Sequence, residues 1–73
     1  MGLTISAKDM MRYLEARGFY LARTTGHHIM TDGIRKVPVS KHPTEELKPG
    51  TIRGIIKSAG LTIEDLKEWM GRE

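Results

Sequence analysis

The sequence predicts an α+β fold in which helices cover one face of a small three-stranded antiparallel sheet. Residues 7–18 and 51–60 carry apolar side chains at the spacing of an amphipathic helix. Between them lie three short segments rich in aromatic, aliphatic and β-branched residues, and turn residues separate each segment from the next. Helices on one side of such a sheet leave its other side open to solvent. We therefore expect an α-β-β-β-α sandwich followed by a short last helix.

The composition is that of an ordinary globular protein, with 38% hydrophobic and 29% charged residues in a chain of 73. This length predicts one domain over residues 1–73, near the lower limit for a fold with a single hydrophobic core. The absence of cysteine excludes a disulfide framework and a thiolate metal site. No apolar run approaches the ~20 residues that span a bilayer, and the amino terminus does not read as a signal peptide. We expect a cytoplasmic protein with no membrane contact and no small-molecule cofactor.

Capping residues and glycines bound the predicted helices. Ser6 can accept a hydrogen bond in the first turn of the first helix, with Asp9 as its capping-box partner, and Gly18 marks the end. Thr51 is the expected cap of the second helix, and Gly60 is the left-handed residue that ends it. The apolar stripes of the three helices are Ala7, Met10, Met11 and Leu14, then Ile52, Ile55, Ile56 and Ala59, and finally Ile63, Leu66, Trp69 and Met70.

The three strand segments are residues 19–23, 27–31 and 34–39. Asp32 and Gly33 predict a two-residue type I′ hairpin turn, because both positions of that turn need a positive φ. Pro38 has no backbone N–H for a ladder, so the third strand is expected at a sheet edge or at its end.

The part of the chain after the strands has three further features. Residues 40–50 hold two prolines without apolar periodicity, which predicts a surface loop. Gly54 interrupts the second helix at a cost of about 1 kcal/mol relative to alanine, so a close contact is expected at its position. Thr62 and Asp65 form a second capping box before the last helix.

The charges are distributed unevenly. Residues 1–60 hold ten lysines and arginines against five acidic residues, whereas residues 61–73 hold two against four. The body therefore carries +5 and the tail −2. A basic body favours polyanions such as RNA or DNA, although a solvated surface explains a moderate charge equally well.

Two adjacent histidines stand at the start of the second strand. Neighbours on a strand point to opposite faces, so at most one of His27 and His28 can face the helices. The other is available for chemistry, and histidine is the side chain that titrates near neutral pH. The third histidine, His42, lies in the predicted loop. No carboxylate stands at a ligand spacing among the three, so we expect no metal site.

Five short motifs follow one another along the chain. They are LEARGF at residues 14–19, GHHI at 26–29, VPV at 37–39, ELKPGTI at 46–52 and IIKSAGL at 55–61. In order and spacing they resemble the HicA (YcfA) family of small toxin proteins, from about Met10 to Met70, and the LKPGT stretch is the more specific signal. The resemblance implies a fold similar to a double-stranded RNA-binding domain and an activity as an mRNA interferase. It also implies a cognate antitoxin of the HicB type.

The family motif that holds the proposed catalytic histidine usually reads Gly-Ser-His. The matching positions here are Thr25, Gly26 and His27, so the resemblance assigns the catalytic role to His27. Thr25 replaces the usual glycine and Gly26 the usual serine. Ser40 and Lys41 look like an insertion relative to the family pattern.

RNA cleavage without a metal needs a base for the 2′-hydroxyl proton, an acid for the leaving 5′-oxygen, and cations that hold the phosphate. We expect His27 to act as the base or the acid. His28 or His42 could supply the second proton transfer, and so could a lysine or water, so that role stays open. The expected nucleic-acid contacts are Arg23, His28, Arg35, Lys36 and Lys48.

Two rival functions follow from the same residues. The first is a double-stranded RNA-binding module without catalysis, which recognises shape and phosphate. The second is an interaction domain whose basic face docks an acidic partner, which predicts no RNA binding at moderate salt. RNA turnover separates the leading hypothesis, an endoribonuclease toxin, from both.

Overall fold

The computed structural model describes residues 3–72 and has an α+β architecture. Its helices are α1 (Ala7–Ala16), α2 (Pro49–Ala59) and α3 (Ile63–Arg72). Its strands are β1 (Ile5–Ser6), β2 (Tyr20–Thr24), β3 (His28–Thr31), β4 (Lys36–Val39) and β5 (Glu46–Leu47). Strands β2, β3 and β4 form an antiparallel sheet. The predicted order of helix, three strands, helix and helix is therefore confirmed, although α3 is as long as α1 and the short strands β1 and β5 were not predicted.

The order of the main sheet is β2-β3-β4, so β4 is an edge strand, as Pro38 predicted. Met30 lies opposite Val37, and His28 lies opposite Val39. Residues that face each other in an antiparallel pair share one side of the sheet. Met30 and both valines are buried. This is the side on which β4 contacts α1 and α2.

The hydrophobic core lies between this side of the sheet and the helices. The stripes predicted for α1 and α2 supply nearly half of its buried residues, since all their members except the half-buried Met11 are buried. Ser6 accepts a hydrogen bond from the N–H of Asp9 at 3.1 Å, which confirms the first cap. Gly60 ends α2 with a φ of 72°, which confirms the second glycine stop.

The hairpin between β3 and β4 differs from the predicted type I′ turn. None of the non-glycine residues described has a positive φ, which excludes that turn type at Asp32. Because Thr31 pairs with Lys36, the connection has four residues instead of two. The Asp32 carboxylate closes it by accepting hydrogen bonds from the N–H of Arg35 at 2.7 Å and of Ile34 at 2.9 Å. These bonds lower the pKa of Asp32.

The segment before α2 is more ordered than the predicted surface loop. Its residues Glu46–Leu47 form β5, which pairs with β1 in a two-stranded sheet and buries Leu47 against Ile5. The helix that follows begins at Pro49, with Lys48 as its N-cap, so the prediction that Thr51 caps it is wrong. Proline fits the first helical position because the N–H that it lacks would have no partner there.

A polar contact joins α3 to α1. The Tyr13 hydroxyl donates a hydrogen bond to Oδ2 of Asp65 at 2.6 Å. Arg17 donates from Nε to Oδ2 at 2.6 Å and from Nη2 to Oδ1 at 3.0 Å. The Trp69 ring meets the Tyr13 ring edge-on, with centroids 5.6 Å apart, so Trp69 packs against the core as predicted. Asp65 and Tyr13 are 52 positions apart, and no local pattern in the sequence pairs them.

Because of this contact, we expect the stability of the fold to fall at alkaline pH. Burial, and then the hydrogen bond to Asp65, raises the pKa of Tyr13. The unfolded chain loses the same proton near pH ~10, whereas the folded chain retains it. The stability linked to Tyr13 is therefore fully present below about pH 10 and is lost as the pH rises toward the raised pKa. We expect Tyr13→Phe to flatten the fall in the free energy of unfolding above about pH 10, measured by urea denaturation.

Tyr20 provides the matched control, because this residue is 54% exposed on β2. Tyr20→Phe should keep the wild-type alkaline profile. An identical alkaline fall in wild type and Tyr13→Phe would contradict the assignment to Tyr13.

Candidate functional site

A groove of about 620 Å³ opens between the β2-β3 loop, the end of β4 and one face of α2. Its walls come from four parts of the chain that are separated in sequence. The residues that line it are His27, Pro38, Ser40, Glu45, Leu47, Thr51, Gly54, Ile55 and Ser58. The volume is within the usual range for small-ligand sites, roughly 300–1,000 Å³. We refer to this feature as the His27 groove.

The two adjacent histidines have different surroundings. His28 begins β3 on the core side, where its Nδ1 lies 2.9 Å from the Thr24 hydroxyl and its side chain is half-buried. His27 lies in the loop before that strand and is exposed at the groove. The Thr25 N–H donates to the His27 carbonyl at 2.9 Å and holds the loop closed. Of the pair, His27 is thus the one that lines the His27 groove.

A carboxylate that was not among the predicted site residues also lines the His27 groove. Glu45 Oε1 accepts a hydrogen bond from the Ser40 hydroxyl at 2.8 Å. Ser40 in turn accepts one from the backbone N–H of His42 at 3.2 Å. The Glu45 backbone carbonyl accepts from the Ala7 N–H at 2.9 Å, which ties this segment to the start of α1. The segment predicted as a plain surface loop therefore positions an acidic side chain opposite α2.

The floor of the His27 groove is aliphatic. Leu47 and Ile55 are only 2% and 6% exposed, and Pro38 lies beside them at the sheet edge. Gly54 lies on the α2 side, where a Cβ atom added to the backbone would meet no atom within 4 Å apart from its chain neighbours and the backbone of its own helix. The close contact predicted at Gly54 is therefore absent, and its missing side chain leaves the groove open instead.

We expect Gly54→Ala to stabilise the protein. Alanine is more favourable than glycine inside a helix by about 1 kcal/mol, and the added methyl group has space. For a domain of this size that corresponds to a rise in melting temperature of about 4–8 °C, measured by thermal unfolding followed by circular dichroism. The same substitution at Gly60 should destabilise, because that residue has a positive φ and a Cβ there would lie 2.8 Å from Cζ of Arg35. A less stable Gly54→Ala protein would show that the position is crowded after all.

The expected nucleic-acid cations are spread over the surface and lie outside the groove lining. Arg23 is exposed in β2 and Lys36 is exposed at the start of β4. Lys48 is exposed immediately before α2, three positions from the groove residue Thr51. Arg35 packs on Gly60 at the other end of this 11-residue helix, which is about 16 Å long. Lys48 is thus placed at the N-terminal end of α2 and Arg35 at its C-terminal end, while the groove lining extends along the helix from Thr51 to Ser58.

The described part of the chain contains no group of three or more His, Asp or Glu side chains that could hold a metal ion. None of the helices formed by residues 3–72 combines the length and the apolar character that crossing a membrane requires.

One known family matches the region of the chain that forms the main sheet and the groove. The family model described as the HicA toxin of bacterial toxin-antitoxin systems matches residues 7–61, which is more than half of the chain. Comparisons with curated proteins and with solved structures give no match. The matched region runs from the start of α1 to the residue after the α2 stop, and so contains the main sheet and the whole lining of the His27 groove. The chain therefore belongs to the HicA family of toxins from bacterial toxin-antitoxin systems, which are typically ribonucleases.

Proposed function

We propose that this protein is an endoribonuclease toxin, an mRNA interferase, in which His27 acts as a general acid or base without a metal. The single observation that carries the proposal is the exposure of His27 in a groove large enough for a nucleotide. Membership of the HicA family supports RNA as the substrate. Because mRNA is the proposed target, we expect the protein to act in the cytoplasm.

The three histidines are not equally suited to the reaction. The His28 ring is half-buried and engaged with Thr24, and His42 lies exposed in the segment before β5, outside the groove lining. His27 alone among the described histidines combines exposure with a groove. An imidazole there can take the proton from a 2′-hydroxyl as it attacks the phosphate, or give one to the departing 5′-oxygen. We propose that His27 performs one of these two transfers.

The proposed phosphate contacts are those expected from the sequence, Arg23, His28, Arg35, Lys36 and Lys48. The placement of Lys48 supports its role best. It precedes the first turn of α2, whose backbone N–H groups attract anions and whose first turn holds no acidic residue. Arg35 also forms a long ion pair with Asp32 at 3.9 Å, so part of its charge is compensated locally. We therefore expect Lys48 to contribute more to RNA affinity than Arg35.

A cognate antitoxin is the second proposed partner. The family implies an antitoxin, and we propose one of the HicB type that neutralises this toxin. The alternative function is a non-catalytic double-stranded RNA-binding module, favoured by the cations that lie on exposed strands instead of in the groove.

The test is incubation of the purified protein with a long single-stranded RNA in the presence of EDTA, resolved on a denaturing gel and on a native gel. Cleavage that persists in EDTA supports the metal-independent ribonuclease. A native-gel shift without cleavage would favour the binding module. Neither cleavage nor a shift at moderate salt would favour a protein interaction domain.

A further inference from the structure

The chemistry inside the His27 groove differs from that of the surface around it. None of the described residues that line it is a lysine or an arginine, although the chain carries a net charge of +3. The charged side chain in the lining is the Glu45 carboxylate, and the floor is made by Leu47, Ile55 and Pro38. A phosphate would meet a carboxylate of the same sign and no lysine or arginine there. A neutral flat group with polar edges suits this interior far better.

We infer that the His27 groove binds one unpaired RNA base, and that Glu45 selects bases whose edge donates hydrogen bonds, guanine first and uracil last. The inference rests on the proposed function, because it takes RNA as the ligand. It adds the part of the RNA that enters the groove and the side chain that discriminates among bases. The phosphate stays at the mouth of the groove, on the side of His27 and Lys48.

The donor and acceptor properties of Glu45 determine the preference. An ionised carboxylate only accepts hydrogen bonds. Guanine offers two adjacent donors, N1–H and the N2 amino group, which match the two oxygens of a carboxylate. Cytosine and adenine each offer one amino group, whereas the N3–H of uracil is flanked by two carbonyl oxygens that a carboxylate repels. The Ser40 hydroxyl holds the Glu45 carboxylate at 2.8 Å, so less motion is lost on binding.

The faces of a base would contact the aliphatic floor and the backbone of α2. A side chain at Gly54 would project into the space that the base needs, since no atom occupies it now. Glycine at position 54 therefore lowers the stability of the helix by about 1 kcal/mol relative to alanine, and we attribute its presence to the groove. The proposed role of Gly54 is to keep the groove wide enough for a ring.

The binding test uses the four ribonucleoside 3′-monophosphates and the full chain, with backbone amide shifts recorded by NMR. This readout needs no turnover, so it is independent of the cleavage assay. We expect guanosine 3′-monophosphate to shift the amides of Glu45, Gly54 and Ile55, and to bind about tenfold more tightly than uridine 3′-monophosphate. Gly54→Leu should weaken binding of the guanosine nucleotide by about tenfold or more, while Gly54→Ala should weaken it less.

Matched variants lie close by. Gly71→Leu places the same side chain on an exposed helical glycine of α3, away from the groove, and should bind as wild type does. Glu45→Gln should reduce the preference for guanosine over uridine to about twofold or less, because an amide presents a donor as well as an acceptor. Glu46→Gln changes the exposed neighbour outside the groove and should retain the preference.

Four results would overturn the inference. One is nucleotide binding whose amide shifts lie outside the groove. The second is a Gly54→Leu protein that binds as tightly as Gly71→Leu, and the third is a base preference that Glu45→Gln leaves unchanged. If an antitoxin shifts the amide signals of the His27 groove and none of the nucleotides does, the groove is a protein-docking site and does not bind a base. Cleavage of RNA by the wild type alongside any of these results would leave the proposed ribonuclease intact and remove only the base pocket.

Discussion

The His27→Ala protein is expected to lose RNA cleavage by a factor of about 10²–10⁴, because a positioned general acid or base contributes that much to a reaction rate. The exposed ring lies at the groove and is not part of the hydrophobic core, so folding should be retained. RNA affinity should stay close to wild type, because the phosphate contacts come from the surrounding cations. Cleavage rates measured with a labelled single-stranded RNA in EDTA, thermal unfolding of the same samples and a native-gel shift test the three parts of this expectation.

Two other histidines provide controls of the same residue type. His42→Ala removes an exposed imidazole outside the groove lining and should keep wild-type cleavage. His28→Ala removes the ring that contacts Thr24, and any loss it causes should accompany weaker RNA binding or weaker packing of the β2-β3 hairpin. Cleavage retained by a folded His27→Ala protein would remove His27 from the mechanism, and an equal loss in His42→Ala would point to a second catalytic group.

The Asp65→Ala protein is expected to be less stable than wild type by about 2–4 kcal/mol, because it removes a charged acceptor and leaves a buried hydroxyl without a partner. That hydroxyl belongs to Tyr13, which has 0% exposure and donates to Asp65 at 2.6 Å. Arg17 loses its bidentate partner in the same substitution. Urea denaturation near neutral pH measures the difference, and the slope of the transition reports whether α3 still unfolds together with the rest.

A substitution at the neighbouring acidic residue, Glu64, distinguishes the loss of this contact from a general loss of negative charge. Glu64 occupies the same first turn of α3, is exposed, and also interacts with the helix dipole. Glu64→Ala should cost no more than about 1 kcal/mol. Adding Tyr13→Phe to Asp65→Ala should recover part of the stability, since no orphan hydroxyl then remains. If the double variant is as unstable as the sum of the two single variants, the hydroxyl and the carboxylate do not act as a pair.

Local patterns predicted an element correctly where the residues that determine it lie within one short segment. The stripes of α1 and α2 follow from a repeat of 3.6 residues, and Gly60 follows from the need for a left-handed stop. The edge position of β4 follows from the missing N–H of Pro38. The turn type predicted for the hairpin at Asp32 was wrong. The Asp32 side chain accepts hydrogen bonds from two backbone N–H groups and so stabilises a four-residue loop, in place of the two-residue turn that needs positive φ.

The candidate site was predicted only in part. The sequence predicted both histidines on one strand, whereas His27 lies in the loop before β3. The family motif selects His27, but no sequence pattern indicates that Glu45 lines the same groove. Gly54 was expected to be in contact because glycine is unfavourable in a helix, and sequence alone cannot tell a crowded glycine from one that keeps a space empty. The sequence named the expected cations without indicating which of them lie near one another, and the fold places Arg35 and Lys48 at opposite ends of α2.

The sequence by itself thus predicted the helix stripes and the edge strand, because each depends on residues within one or two turns or strands. The fold class and the family follow from the order of such local segments along the chain, and the catalytic role of His27 stays a prediction. Only the tertiary structure decided which distant residues meet. Tyr13 finds Asp65 across 52 positions, and four separate segments enclose the His27 groove. Periodicity tells which face of an element is buried, but the distance between two faces depends on how every element packs around the common core.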